Sequence, residues 1–203
     1  MFKKWIREYI LVNKKDIAIC LAFITLGIII GIGAYMFFSP ELKTLAIDSV
    51  KEVFEISKEE TYIKTNVVLN GVKADIILIA ILAILSVTLF GKWIIYSFLL
   101  FKGISLAIYT ALLFKVFGLL WGALVVVLLV ILVNIIYIPA LIFLVVYFLE
   151  VNFNVFKAKI ANYDGSLFYK GVIYVLVSFL LMFSSIMVEQ IVSSVVLNIY
   201  TKL

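Results

Sequence analysis

The chain has 203 residues, of which 66% are hydrophobic and 14% charged, a balance that a soluble domain of this size could not cover with its own surface. It contains no His, so the commonest general base, metal ligand and partner of a catalytic Ser or Cys is missing. The net charge of +5 arises from Lys and Arg scattered at the ends of apolar runs, which reads as a topology signal and excludes a polyanion site.

The apolar residues come in long unbroken runs without period-two alternation, so helices and not barrel strands are the expected spanning elements. The predicted fold class is all-α, a polytopic helical membrane protein of about five transmembrane helices with an extracytoplasmic amphipathic helix. Residues 1–203 read as a single integral membrane domain. Residues 1–16 are basic, and Trp5, Ile6, Tyr9 and Ile10 share one face of an interfacial segment. The run Ile17 to Phe38 is long enough to span a core of about 30 Å. It is too long for a cleavable signal and no small-x-small site follows it, so a retained anchor is expected, with the preceding Lys and Arg placing the N-terminus in the cytoplasm. Cys20 lies inside this run and reads as a small packing residue.

Ser39-Pro40-Glu41 is a helix start, with Ser as N-cap, Pro at the first helical position and an acid in the first turn. The helix from Pro40 to Glu60 is amphipathic. Seven acids and five lysines fall between Ser39 and Asp75, which fits an extracytoplasmic loop over residues 39–74. A docking role and a position on the lipid headgroups suit this helix about equally. Thr61 to Lys73, with Asn70-Gly71, reads as a linker.

From Ile76 to Leu149 three crossings are expected, because Lys157, Lys159 and Lys170 make the following segment look cytoplasmic. The inner turn lies at Gly91-Lys92 or at Lys102-Gly103. The earlier turn would bury Lys102 roughly 15 Å deep at a cost on the order of 3 kcal/mol unless it is paired, which favours the later one. An outer turn is expected at Gly118 to Gly122, then a helix to about Tyr147 with a break near Pro139. Val172 to Val188 crosses outward, and Ser193 to Leu203 forms an external tail. A sixth crossing arises if Asn134 to Pro139 is a tight turn.

The sequence has no P-loop, dinucleotide fingerprint, HExxH motif, paired Cys or intramembrane pair of aspartates, and no metal, cofactor or catalytic residue is assigned. Ser184 and Ser185 read as helix-packing hydroxyls. The candidate structural or interaction residues are Lys102, Gly103, Asn134, Pro139 and Glu189. Asn134 is expected to bond backbone freed by Pro139, and Glu189 to be an interfacial acid at a helix end.

The order of features resembles the stage II sporulation protein M family. The residues that carry the likeness are the basic start, Leu26-Gly27-Ile28-Ile29-Ile30-Gly31 in the first helix, the helical outer loop, Phe90-Gly91-Lys92-Trp93, Leu100-Phe101-Lys102-Gly103, Val133-Asn134-Ile135-Ile136-Tyr137-Ile138-Pro139 and Met187-Val188-Glu189-Gln190. Trp93 stands where proline is expected, Ala107 replaces a later glycine, and Ser193-Ser194 stands for a Ser-Pro step. The resemblance implies a non-enzymatic scaffold in the bacterial cell membrane, without cofactor or nucleic acid. Such a scaffold would hold peptidoglycan-degrading partners, the sporulation proteins D and P, at the septum during engulfment. The competing reading is a small transporter or permease subunit whose path is lined by Asn134, the Pro139 break and intramembrane Lys residues.

Overall fold

A computed structural model describes residues 9–56, 61–157 and 165–200, with the side chains of residues 53–67, 155–170 and 197–203 left out of the description. Among the described residues the chain is helical with no strand, and four helices are long and apolar enough to cross a membrane. The protein is an all-α polytopic membrane protein. Its exterior is what lipid requires: Ile29, Leu119, Leu120 and Ile135 are exposed side chains with no aqueous reason to be so.

The first helix, α1, runs Lys14–Phe37. At the start of α2 (Pro40–Ile56), the Leu42 backbone N–H donates to Ser39 Oγ at 3.3 Å, the cap expected of Ser-Pro-Glu. Helix α3 spans Thr61–Ser86, so the linker expected over Thr61 to Lys73 is instead helix. Asn70-Gly71 does not turn, because Gly71 is a packing position: a methyl added there would lie 3.2 Å from Ile186 Cδ1.

Residues 87–90 make the turn into α4 (Gly91–Val125), which continues through a π-helical stretch, Val126–Leu132, into α5 (Val133–Lys157). This turn lies beside Gly91-Lys92, and the register with the turn at Lys102-Gly103 is overturned. Asn152 of α5 secures it by donating from Nδ2 to the carbonyl oxygens of Ser86 at 2.8 Å and Thr88 at 2.9 Å.

The 64 residues from Gly91 to Asn154 double back at Gly118. Lys102 Nζ lies 4.4 Å from the ring centroid of Tyr137, whereas a straight helix would hold residues that far apart in sequence about 50 Å from each other. Gly118 has φ 74° and ψ −176°, a conformation open essentially to Gly alone. This reversal falls where a turn at Gly118 to Gly122 was expected, and five helical limbs result. Pro139 lies inside continuous helix, so neither a break nor a sixth crossing occurs there. The irregularity sits about two turns earlier, in the π-helical stretch. The last helix, α6, spans Gly165–Tyr200 and carries residues 193–200 as helix where a tail was expected.

Helices α1 and α4 run parallel along a seam of small residues. Gly27 lies against Leu100 and Gly103, and Gly31 against Ile104 and Ala107. A methyl added at Gly31 would sit 2.7 Å from the Ile104 carbonyl oxygen and 2.8 Å from Ala107 Cβ. Bare backbone at these positions lets the two helices approach closely, which is how helices associate where lipid removes the hydrophobic drive.

Two apolar clusters close the ends of the bundle. One joins Cys20, Ile24, Leu82, Leu99, Leu144 and Met182; the other joins Leu113, Phe117, Val125, Val192 and Val196, with Val50 of α2 packed against it. At the first end Tyr9 enters the bundle and does not lie on its surface. Its ring packs on Phe143 and Tyr174 with centroids 4.4 and 5.4 Å away, and its hydroxyl donates to the Phe143 carbonyl at 3.2 Å. Burial raises the Tyr9 phenol pKa well above its ordinary value, keeping that donor proton in place. Trp5 and Ile6, expected on the same face, lie outside the described residues.

Candidate functional site

On four of the packed helices, though not on α1, the residues between the two apolar clusters turn polar. In α3 this is Asp75, seven residues into the span that begins at Val68. In α4 it is Lys102, roughly midway between Gly91 and Gly118. From the returning limb come Asn134 and Tyr137, and from α6 Ser185 and Glu189. Together they line one cavity of about 280 Å³.

The hydrogen bonds explain why each polar group is tolerated. Tyr137 donates its hydroxyl proton to Asp75 Oδ1 at 3.3 Å, and the Lys102 ammonium rests on the face of the same ring. Tyr137 thus touches an anion through its edge and a cation through its face, linking α3, α4 and α5 through one side chain. Lys102 also feels the opposite charges of Asp75 and Glu189. Those carboxylates and the ring face offset part of the cost of burying this lysine, which is the physical reason that the cheaper-looking register lost.

Ser185 donates to the Val133 carbonyl across the α5–α6 interface at 3.0 Å, while Ser184 donates to Leu180 within its own helix at 2.8 Å. Asn134 Nδ2 donates to the Val130 carbonyl at 2.7 Å. The expected partner of Asn134 was backbone freed by Pro139; the observed one belongs to the π-helical stretch, where the regular ladder has slipped. Glu189 is not at a helix end, since α6 continues to Tyr200, and it stands exposed at the rim of the cavity.

Of the five residues singled out by sequence, Lys102, Asn134 and Glu189 come together here. Gly103, on the same helix as Lys102, packs against Gly27 instead. Pro139 is exposed and joins Ile28, Ile32 and Ala107 in lining a separate apolar groove of about 550 Å³. Asp75 and Tyr137 were missed. The signal for Asp75 was available, since it immediately precedes eleven uncharged residues, Ile76 to Ser86, but a linker ending at Lys73 put it outside the membrane.

Asp75 is the most constrained group in the cavity. It is 5% exposed, and its second oxygen, Oδ2, is buried with no hydrogen-bond partner. Among the described residues no group of three or more His, Cys, Asp or Glu is placed to hold a metal ion. The chain matches no protein-family model, no curated protein and no solved structure.

Proposed function

We propose that this protein is a non-enzymatic scaffold of the cell membrane. Its N-terminus faces the cytoplasm, and α2 and the C-terminal end of α6 lie on the extracytoplasmic side. The observation that carries the reading is the seating of α2. Val50 packs on the apolar cluster at one end of the bundle, while Glu41, Leu42, Leu45, Asp48, Ser49 and Glu52 remain exposed on the other faces of the same helix. A rigidly mounted helix that displays leucines beside carboxylates suits the capture of a partner protein. The likeness to the stage II sporulation protein M family supplies the kind of partner: the cell-wall hydrolases of engulfment, sporulation proteins D and P. Photocrosslinkers at Asp48 and Ser49 in sporulating cells are expected to capture those hydrolases, and deletion of the gene to halt membrane migration around the forespore. Normal engulfment in the deletion strain overturns the assignment.

The cavity favours a second reading, a small transporter or permease subunit, because it gathers polar groups from four helices, three of them contributing a charge, in mid-membrane. Flux through proteoliposomes that is abolished by Asn134→Leu supports this reading, and absence of flux for every solute that binds the protein removes it.

A further inference from the structure

We infer that the mid-membrane cavity binds a small organic ammonium ion. Three Asp, Glu or Lys side chains line it, Asp75, Glu189 and Lys102. With all three charged the set carries one net negative charge. Glu189 contributes its share of that charge from the exposed rim, while the buried Asp75 carboxylate lacks a donor at one oxygen, so one positive charge entering from the rim balances the set.

The position of that charge follows from the hydrogen bonds. Asp75 Oδ1 is occupied by the Tyr137 hydroxyl, whereas Oδ2 is buried, has no partner and belongs to a side chain on the cavity wall. Lys102 does not fill this vacancy with a hydrogen bond, because its ammonium is turned onto the Tyr137 ring. A donor of opposite charge placed beside Oδ2 satisfies both the lone pair and the net charge.

Size and lining select the class of cation. A volume of about 280 Å³ equals the share of about nine liquid waters, far more than a bare alkali ion fills. Part of the wall is aromatic and aliphatic, from Tyr109, Tyr137, Leu106 and Ile186. An ammonium head on a short hydrocarbon body matches both parts, its head toward Asp75 and Glu189 and its body against the rings. This binding neither requires nor implies a partner on α2, and it does not require that the ligand cross the membrane.

The test uses the purified full chain in nanodiscs of neutral lipid at pH 7. Thermal unfolding and calorimetric titration are read with n-butylammonium, with Na⁺ and with n-butanol, the neutral analogue. The expected result is saturable binding and a raised melting temperature with n-butylammonium alone. Asp75→Asn should weaken it about tenfold or more, and Lys102→Met, which removes the resident competing cation, should tighten it about tenfold, each tenfold being about 1.4 kcal/mol. Glu189→Gln, at the rim, provides a second carboxylate variant should Asp75→Asn fail to fold, with a loss in the same direction. Absence of saturable binding by n-butylammonium overturns the proposal. So does equal binding of n-butanol, which would make the cavity merely an apolar pocket, or equal binding of Na⁺, which would make it an alkali-ion site. Unchanged affinity in both Lys102→Met and Glu189→Gln places the ligand elsewhere and overturns it equally.

Discussion

Gly118 carries a backbone conformation that side chains resist, and the reversal of the longest apolar stretch depends on it. Gly118→Ala meets no neighbouring atom, so its whole effect is conformational, about 1–3 kcal/mol of lost stability. Equilibrium unfolding of the detergent-solubilised protein in a denaturing detergent series checks this, and a change below a few tenths would show that the turn relaxes. Asn152 works at the opposite end by accepting no substitute geometry for its two bonds to the Ser86 and Thr88 carbonyls. Asn152→Leu should cost about 1–3 kcal/mol and raise amide exchange selectively over residues 86–91. Both roles differ in how far they could be seen in advance. Gly118 sits among apolar residues with Gly122 close by, and that clustering marks a turn. Asn152 lies in a segment of mixed polarity, and its partners are carbonyls more than sixty positions away, which no local pattern discloses.

Among the elements, the parallel pair α1 and α4 is the most closely fitted. Gly103→Leu would drive four carbons into the backbone of Ile24 and Gly27. A loss of about 1–3 kcal/mol or more is expected from overpacking, seen as a lower melting temperature and a polydisperse elution profile, whereas Trp93→Leu on an exposed face of the same helix should leave both unchanged. The spans themselves were legible because long apolar runs have one viable secondary structure in lipid. Their ends were not. The start of α3 was misplaced because Asn-Gly signals a turn only when no neighbour rewards continuing the helix, and here Ile186 does. The start of α4 was misplaced because the cost assigned to Lys102 assumed that it was unpaired, and pairing is tertiary. The continuity of α5 across Pro139 was obscured for a related reason: in a bundle, neighbouring helices hold a proline-containing segment straight enough to continue.

For the molecule as a whole, five limbs put α2, the Gly118 turn and the C-terminal end of α6 at one end, and the 87–90 turn with Asn152 at the other. Single-cysteine probes read this arrangement directly. Asp48→Cys and Lys92→Cys, both exposed, should react with a membrane-impermeant maleimide from opposite faces, Asp48→Cys in intact cells and Lys92→Cys only after permeabilisation. The native Cys20 is fully buried and contributes little background. Labelling of both from the same face would break the five-limb topology. The cavity residues show the limit of sequence at this scale: Asp75, Lys102, Tyr137 and Glu189 are far apart in the chain, and only the packing of α3, α4, α5 and α6 against one another brings them to one cavity.

The seam between α1 and α4 also sets a schedule for assembly. Gly27 leaves the ribosome 76 positions before Gly103, an interval of about 4–15 s at elongation speeds of about 5–20 residues per second. Throughout that wait the first helix sits in the bilayer with a Gly-Ile-Ile-Ile-Gly stripe bare, a pattern on which two copies of a nascent chain can zip together. Correct biogenesis is then a race between synthesis of the fourth helix and lateral encounter with another unfinished chain, and slow translation between these two glycines favours the wrong winner.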